Sequence, residues 1–148
     1  MTAEFDQKLR LYTYLHVVNT GSAPKVVEAA RDLGVPEEEA RKGYERLSQG
    51  HAIMLEPESG ELWRVSPFSA VPTPFPVSVG EQVYYGNCIW DALGIPATLG
   101  RDAVISAACG CCNQAMELHV RGGALVENDG VIHIAVPASR WYEDVVFT

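Results

Sequence analysis

Four prolines fall within ten positions, Pro67, Pro72, Pro74 and Pro76, and no other feature limits the fold of this chain as strongly. Proline lacks a backbone N–H and fixes φ, so so dense a run cannot continue a helix or donate to a sheet ladder. It holds the chain extended and predicts a linker or sheet-edge segment over 67–80. Ahead of it, apolar residues recur at helical spacing. Phe5, Leu9, Tyr12, Leu15 and Val18 mark a helix that Gly21 stops. A short second helix carries Val26, Val27, Ala30 and Leu33, with Ser22 as its expected N-cap, Pro24 near its first position and Gly34 at its end. A third opens after Val35-Pro36 with Glu37, Glu38 and Glu39 in its first turn, where the helix dipole favours acids, and runs to Gly50.

Residues 52–55 and 61–65 then flank Glu58-Ser59-Gly60 as a hairpin, which completes a winged-helix-like pattern. Beyond the prolines the chain turns strand-rich. Residues 103–109, 116–120, 124–126 and 131–136 read as strands, the last two joined through Asn128-Asp129-Gly130, residues that tolerate positive φ. A short helix begins near Cys88, and Pro96 to Gly100 reads as a turn. The apolar positions Trp141, Tyr142, Val145, Val146 and Phe147 start a helix or a further strand. The expected class is α+β: an N-terminal winged-helix-like three-helix unit with a hairpin, then a small mixed or antiparallel sheet bearing the short cysteine helix. Its expected divisions are 1–66, the proline-rich segment 67–80, and a core domain over 81–148.

The 148 residues are 47% hydrophobic, enough for a compact core, and a formal net charge of -8 disfavours nucleic acid and anionic membranes as partners. The acidic start, Glu4 and Asp6, does not read as a signal peptide, and no window reaches membrane-spanning length. A cytoplasmic protein is expected, in which four cysteines are thiols, metal ligands or catalytic groups rather than disulfides.

Cys88 and Asp91 stand three residues apart at a helix start, so a thiol and a proton carrier share one face near the positive end of the helix dipole. On spacing alone Cys88 also suits a small buried hydrophobe and Asp91 an ordinary first-turn acid. Trp90 between them is expected in the core, or as an aromatic wall that excludes water. Cys109-Gly110-Cys111-Cys112 places three sulfurs within four positions. It reads as a turn with two buried thiols and one exposed, or as a soft-metal site for mercury, zinc or Cu(I). A closed zinc site would need Cys88 or His119 as a fourth ligand.

The run from Tyr84 through Gly100, continuing through Arg101 and the strand ending at Cys109, resembles the core of the bacterial alkylmercury lyase family. Residues 5–65 resemble the family's winged-helix-like N-terminal region, and the segment 67–72, the strand from His133 to Pro137, Trp141 and Phe147-Thr148 resemble the same pattern, so the likeness covers nearly the whole chain. It implies protonolysis of a carbon–mercury bond, with release of hydrocarbon and of Hg(II). By carry-over Cys88 is the attacking thiolate and Asp91 the proton shuttle, both of them metal-contacting. No resident cofactor is implied. The implied partners are an organomercurial small molecule and a thiol or mercuric-reductase-type acceptor of Hg(II). The family's second catalytic cysteine would fall just past Thr148, so either the sequence is truncated or a different thiol supplies the second ligand, with Cys109, Cys111 and Cys112 as the candidates. Cys109 matches a non-catalytic cysteine of the family.

Two alternatives remain from the residues, a soft-metal binding protein and a metal-responsive winged-helix regulator. The regulator is weakened by Glu37, Glu38 and Glu39 at the start of the helix that would enter a DNA groove.

Overall fold

The computed structural model describes residues 2–126 and 128–144. Three helices come first, α1 (Thr2–Thr20), α2 (Val26–Leu33) and α3 (Glu37–Gln49). Gly34 closes α2 in the left-handed conformation, as its position predicted. The start of α2 differs. Lys25 rather than Ser22 is its N-cap residue, and the Lys25 N–H donates to the Glu28 carboxylate at 2.7 Å, while Thr20 donates its hydroxyl proton to the Ser22 carbonyl. A three-stranded antiparallel sheet follows, from β1 (Met54–Leu55), β2 (Leu62–Val65) and β3 (Phe68–Ser69).

A second antiparallel sheet has five strands in the order β5-β4-β6-β7-β8. They are β4 (Pro76–Val79), β5 (Gln82–Tyr85), β6 (Ala103–Ala108), β7 (Ala115–Arg121) and β8 (Ala124–Leu125). The proline-rich segment 67–80 therefore contributes β3 and an interior strand, not only a linker or edge. Pro76 is tolerated because it opens β4: it pairs with Tyr85 of β5, whereas the ladder with β6 begins at Val77 and never requires its missing N–H.

The helix α4 (Ile89–Leu99) lies after β5 and includes Pro96, so the turn expected from residue 96 is the helix's last stretch, and left-handed Gly100 ends it. Burial alternates along the strands, with Val77, Val79, Ala103, Ile105, Leu118 and Val120 on one face of the sheet. Ala92 and Ile95 of α4 are fully buried, and covering a side chain of Ile95's size contributes roughly 2 kcal/mol. Helix α1 joins the two halves of the molecule. Its buried Thr13 hydroxyl meets Tyr44 of α3 at 2.9 Å, Tyr14 donates to the Ser66 carbonyl at 2.9 Å, and Tyr84 of β5 donates to the Val18 carbonyl at 2.6 Å.

The C-terminal hairpin is not where it was expected. Gly122 and Gly123, both at positive φ, make the tight turn between β7 and β8, the geometry that glycine adopts without steric cost. At Asn128-Asp129-Gly130 the Gly130 N–H instead donates to the Asn128 side chain, and residues 131–136 form no strand. Val131, Ile132 and His133 line a cavity rather than a ladder. A 3-10 turn covers Ala138–Arg140, and the expected element through Val145, Val146, Phe147 and Thr148 falls on positions outside the described residues.

Gly86 makes the closest contact between sheet and helix. A Cβ there would stand 2.6 Å from the Ala92 nitrogen and 2.8 Å from its Cα, and the Gly86 N–H is fixed to the Phe75 carbonyl at 3.0 Å. Gly86→Ala is therefore expected to push α4 off the sheet and lower stability by about 1–3 kcal/mol, read as an earlier urea midpoint. An unchanged midpoint would contradict this seating of α4.

Candidate functional site

The break between β5 and α4 positions the first group of candidate residues. Cys88 is the N-cap residue of α4, with extended φ -149° and ψ -179°, and its side chain makes no capping bond, so the sulfur is not committed to the helix end. Its carbonyl accepts from the Ala92 N–H at 2.9 Å, the first turn of the helix. Asp91 follows in that turn. The pairing expected from their spacing is thus set by helical geometry. Trp90, expected in the core, is 55% exposed, because it lies on the side of α4 away from buried Ala92 and Ile95.

Asp91 is held from below by Asn87, whose side-chain amide donates to the Asp91 carboxylate at 2.8 Å. The same amide lies 3.4 Å from the Phe68 carbonyl, so Asn87 bridges the two sheets and the helix. Its own oxygen is buried and has no hydrogen-bond partner among the described residues. Burial pushes the Asp91 carboxyl up from its ordinary value, against the Asn87 side-chain bond, the nearby Arg64 charge and the Asn87 main-chain N–H, which all favour the anion. The result is a carboxyl that takes a proton more readily than an exposed aspartate. Tyr14 is within electrostatic reach: burial pushes its phenol up, Arg10 opposes, and the Asp91 charge adds to the rise. Asn87, Arg64 and Tyr14 were not singled out from the sequence. Only Asn87 carried a signal there, its position four residues before Asp91.

The second group stands on the loop between β6 and β7. The Cys109 N–H donates to the Gln114 carbonyl and the Asn113 N–H to the Cys109 carbonyl, both at 2.8 Å, with Asn113 at φ 57°. Within this turn the main-chain N–H groups of Cys112 and Cys111, and after them the Cys112 thiol, favour the anion of the Cys109 sulfur. The main-chain bonds come first in holding the Cys109 thiol below the ordinary cysteine range. Cys109 is half-buried and Cys111 and Cys112 are exposed, so the expected arrangement of two buried thiols and one exposed is reversed.

Cys109 and Cys111 line a cavity of about 800 Å³ whose walls include Phe75, Ile89, Leu93 and Met116. Cys88 and Asp91 are not among its lining residues, although Ile89 and Leu93 belong to their helix. The five residues expected as one metal set are thus divided between a helix start and a hairpin loop. Among the described residues no three His, Cys, Asp or Glu side chains lie where they could share a metal ion. His119, the other residue weighed as a zinc ligand, pairs with Glu117 at 2.8 Å.

Comparison with known proteins bears on this arrangement. The family model described as alkylmercury lyase matches residues 68–148, which include Cys88, Asp91 and the cysteine loop. A crystal structure of the mercury-bound form of MerB2 is similar in fold, with a TM-score of 0.57 and 17% sequence identity. That match covers 82% of this chain and 66% of the other, so the chain spans just under two thirds of that protein's length. No curated protein matches the chain by sequence.

The raised Asp91 carboxyl has a signed consequence for stability. Its folded pKa lies above its unfolded one, so the stability it contributes is fully present below the ordinary aspartate range and is lost as pH rises through the elevated value. Asp91→Asn can keep the Asn87 bond and carries no charge. Its melting temperature is expected to exceed that of the native chain near pH 7, with the gap narrowing as pH falls toward the ordinary aspartate range. A gap that widens on acidification would contradict the assignment.

Proposed function

The chain belongs to the alkylmercury lyase family, and on that premise we propose that it cleaves the carbon–mercury bond of small organomercurials by protonolysis, with Cys88 as nucleophile and Asp91 as proton shuttle. The observation that carries this reading is the half-buried Asp91 carboxyl, biased toward accepting a proton and held by Asn87 one turn from an uncommitted thiol. Mercury is a soft cation and thiolate its preferred side-chain ligand. In the first step the Cys88 sulfur bonds the mercury of R–Hg–X, X⁻ leaves, and the thiol proton passes to the Asp91 carboxylate. In the second, Asp91 delivers that proton to carbon. The electron pair of the C–Hg bond becomes the new C–H bond, hydrocarbon leaves, and Hg(II) remains on sulfur while Asp91 returns to its anion. No net oxidation occurs and no resident cofactor is required.

Thiolate donation into mercury increases electron density on the bound carbon, and a second sulfur would strengthen that push. Cys109 and Cys111 line a cavity that Cys88 and Asp91 do not, and an exogenous thiol can supply that second sulfur. It then carries Hg(II) to a thiol or mercuric-reductase-type acceptor. A reducing cytoplasm suits four free cysteines. Binding to nucleic acid is not part of the reading, because the cations of α3 are already engaged. Arg41 pairs with Glu37, Lys42 with Glu38, and Arg46 with Asp6 at 2.7 Å.

Reduced protein with phenylmercury and excess thiol is expected to release benzene well above the thiol-only control. Cys88→Ser is expected to reduce that release about 10²-fold or more. Benzene at control level from folded native chain would overturn the reading, and full activity in Cys88→Ser would overturn the choice of nucleophile.

A further inference from the structure

We propose that Cys109 and Cys112 form a second, two-sulfur binding site for a thiophilic d10 cation, Hg(II) in the first place, separate from Cys88. Naming Hg(II) rests on the lyase reading; the geometry of the site does not. The two residues are a C-x-x-C pair on the turn that joins β6 to β7. The turn is closed by the Asn113 N–H on the Cys109 carbonyl and by left-handed Asn113 directly after the second cysteine. A turn closed in this way brings its first and fourth positions to one side, the spacing at which C-x-x-C pairs hold a metal ion. Successive N–H groups in a turn that ends on a left-handed residue form a concavity for negative charge, the environment a metal-bound thiolate requires.

The chemistry of the pair selects the ion. Zinc in a structural site takes four ligands, and among the described residues no third or fourth one converges. Hg(II) and Cu(I) are satisfied by two thiolates, and thiolate is the softest donor a protein offers them. Cys112 is exposed and Cys109 half-buried at the cavity wall, so an incoming ion reaches both sulfurs without unfolding the loop. Binding exchanges the two thiol protons for one Hg(II): two S–Hg bonds form, two protons leave to solvent, and the oxidation state of mercury does not change. Cys111 carries a main-chain donor in this scheme, and its own sulfur is not required.

The test uses the reduced 148-residue chain carrying Cys88→Ser, which lacks the proposed nucleophile, so a failure of lyase activity cannot be mistaken for a failure of this site. It is titrated with HgCl₂ against a competing monothiol and followed by ultraviolet thiolate-to-mercury absorption and native mass spectrometry, with circular dichroism as the folding control. One Hg(II) per chain is expected. Adding Cys109→Ser or Cys112→Ser is expected to weaken retention about 10²-fold through loss of chelation, whereas adding Cys111→Ser should leave it within about twofold. The proposal is overturned by Hg(II) lost to the monothiol at the first equivalent, by equal weakening in all three variants, or by mercury that bridges two chains.

Discussion

The structure depends on how closely α4 seats on the second sheet. Gly86 has no side chain at the point where the main chain passes Ala92, and that absence lets Ala92 and Ile95 sink fully into the core. With the helix pressed down there, its first turn falls at the junction of the two sheets, where Phe68 forms an isolated bridge to Gly86. Asn87 can then reach Phe68 on one side and Asp91 on the other. The approach of one backbone to another is thus the origin of the site's electrostatics as well as of its packing.

Those electrostatics oppose one another. Asn87 and Arg64 favour the Asp91 anion, and burial prevails against both. A carboxyl so placed takes and returns a proton within one reaction, which an exposed aspartate at neutral pH does poorly. On the hairpin loop the balance is reversed, with main-chain N–H groups favouring the charged form of Cys109. The fold therefore supplies a carboxyl biased toward taking a proton at one place and an anion-favouring turn at another, and the cavity against α4 and β6 lies beside the second of these.

Elements governed by local rules were readable from the amino-acid order. The three N-terminal helices, the first hairpin, β6 and β7 follow apolar periodicity and glycine stops, the start of α4 was expected near Cys88, and Cys88 and Asp91 stood out through helical spacing. The misreadings share a cause, since each depended on a neighbour in space. Pro76 looked incompatible with a sheet interior, yet only its second ladder would have needed its N–H, and that ladder starts one residue later. Asn128-Asp129-Gly130 had the better turn chemistry on paper, but Gly122-Gly123 allows β8 to pair with β7 immediately. Trp90 resembled a core residue until the helix face was fixed by Ala92 and Ile95. The environment of Asp91 comes from α1, β2 and β3, whose arrival at that point no local pattern announces.

The central claim is that Asp91 delivers the proton that breaks the carbon–mercury bond. Phenylmercury loaded stoichiometrically onto native and Asp91→Asn chains, then followed through a single turnover by benzene release, tests it most directly. The account predicts full loading of both chains and benzene release slower in Asp91→Asn by about 10²-fold or more. Equal release rates at equal loading would contradict it.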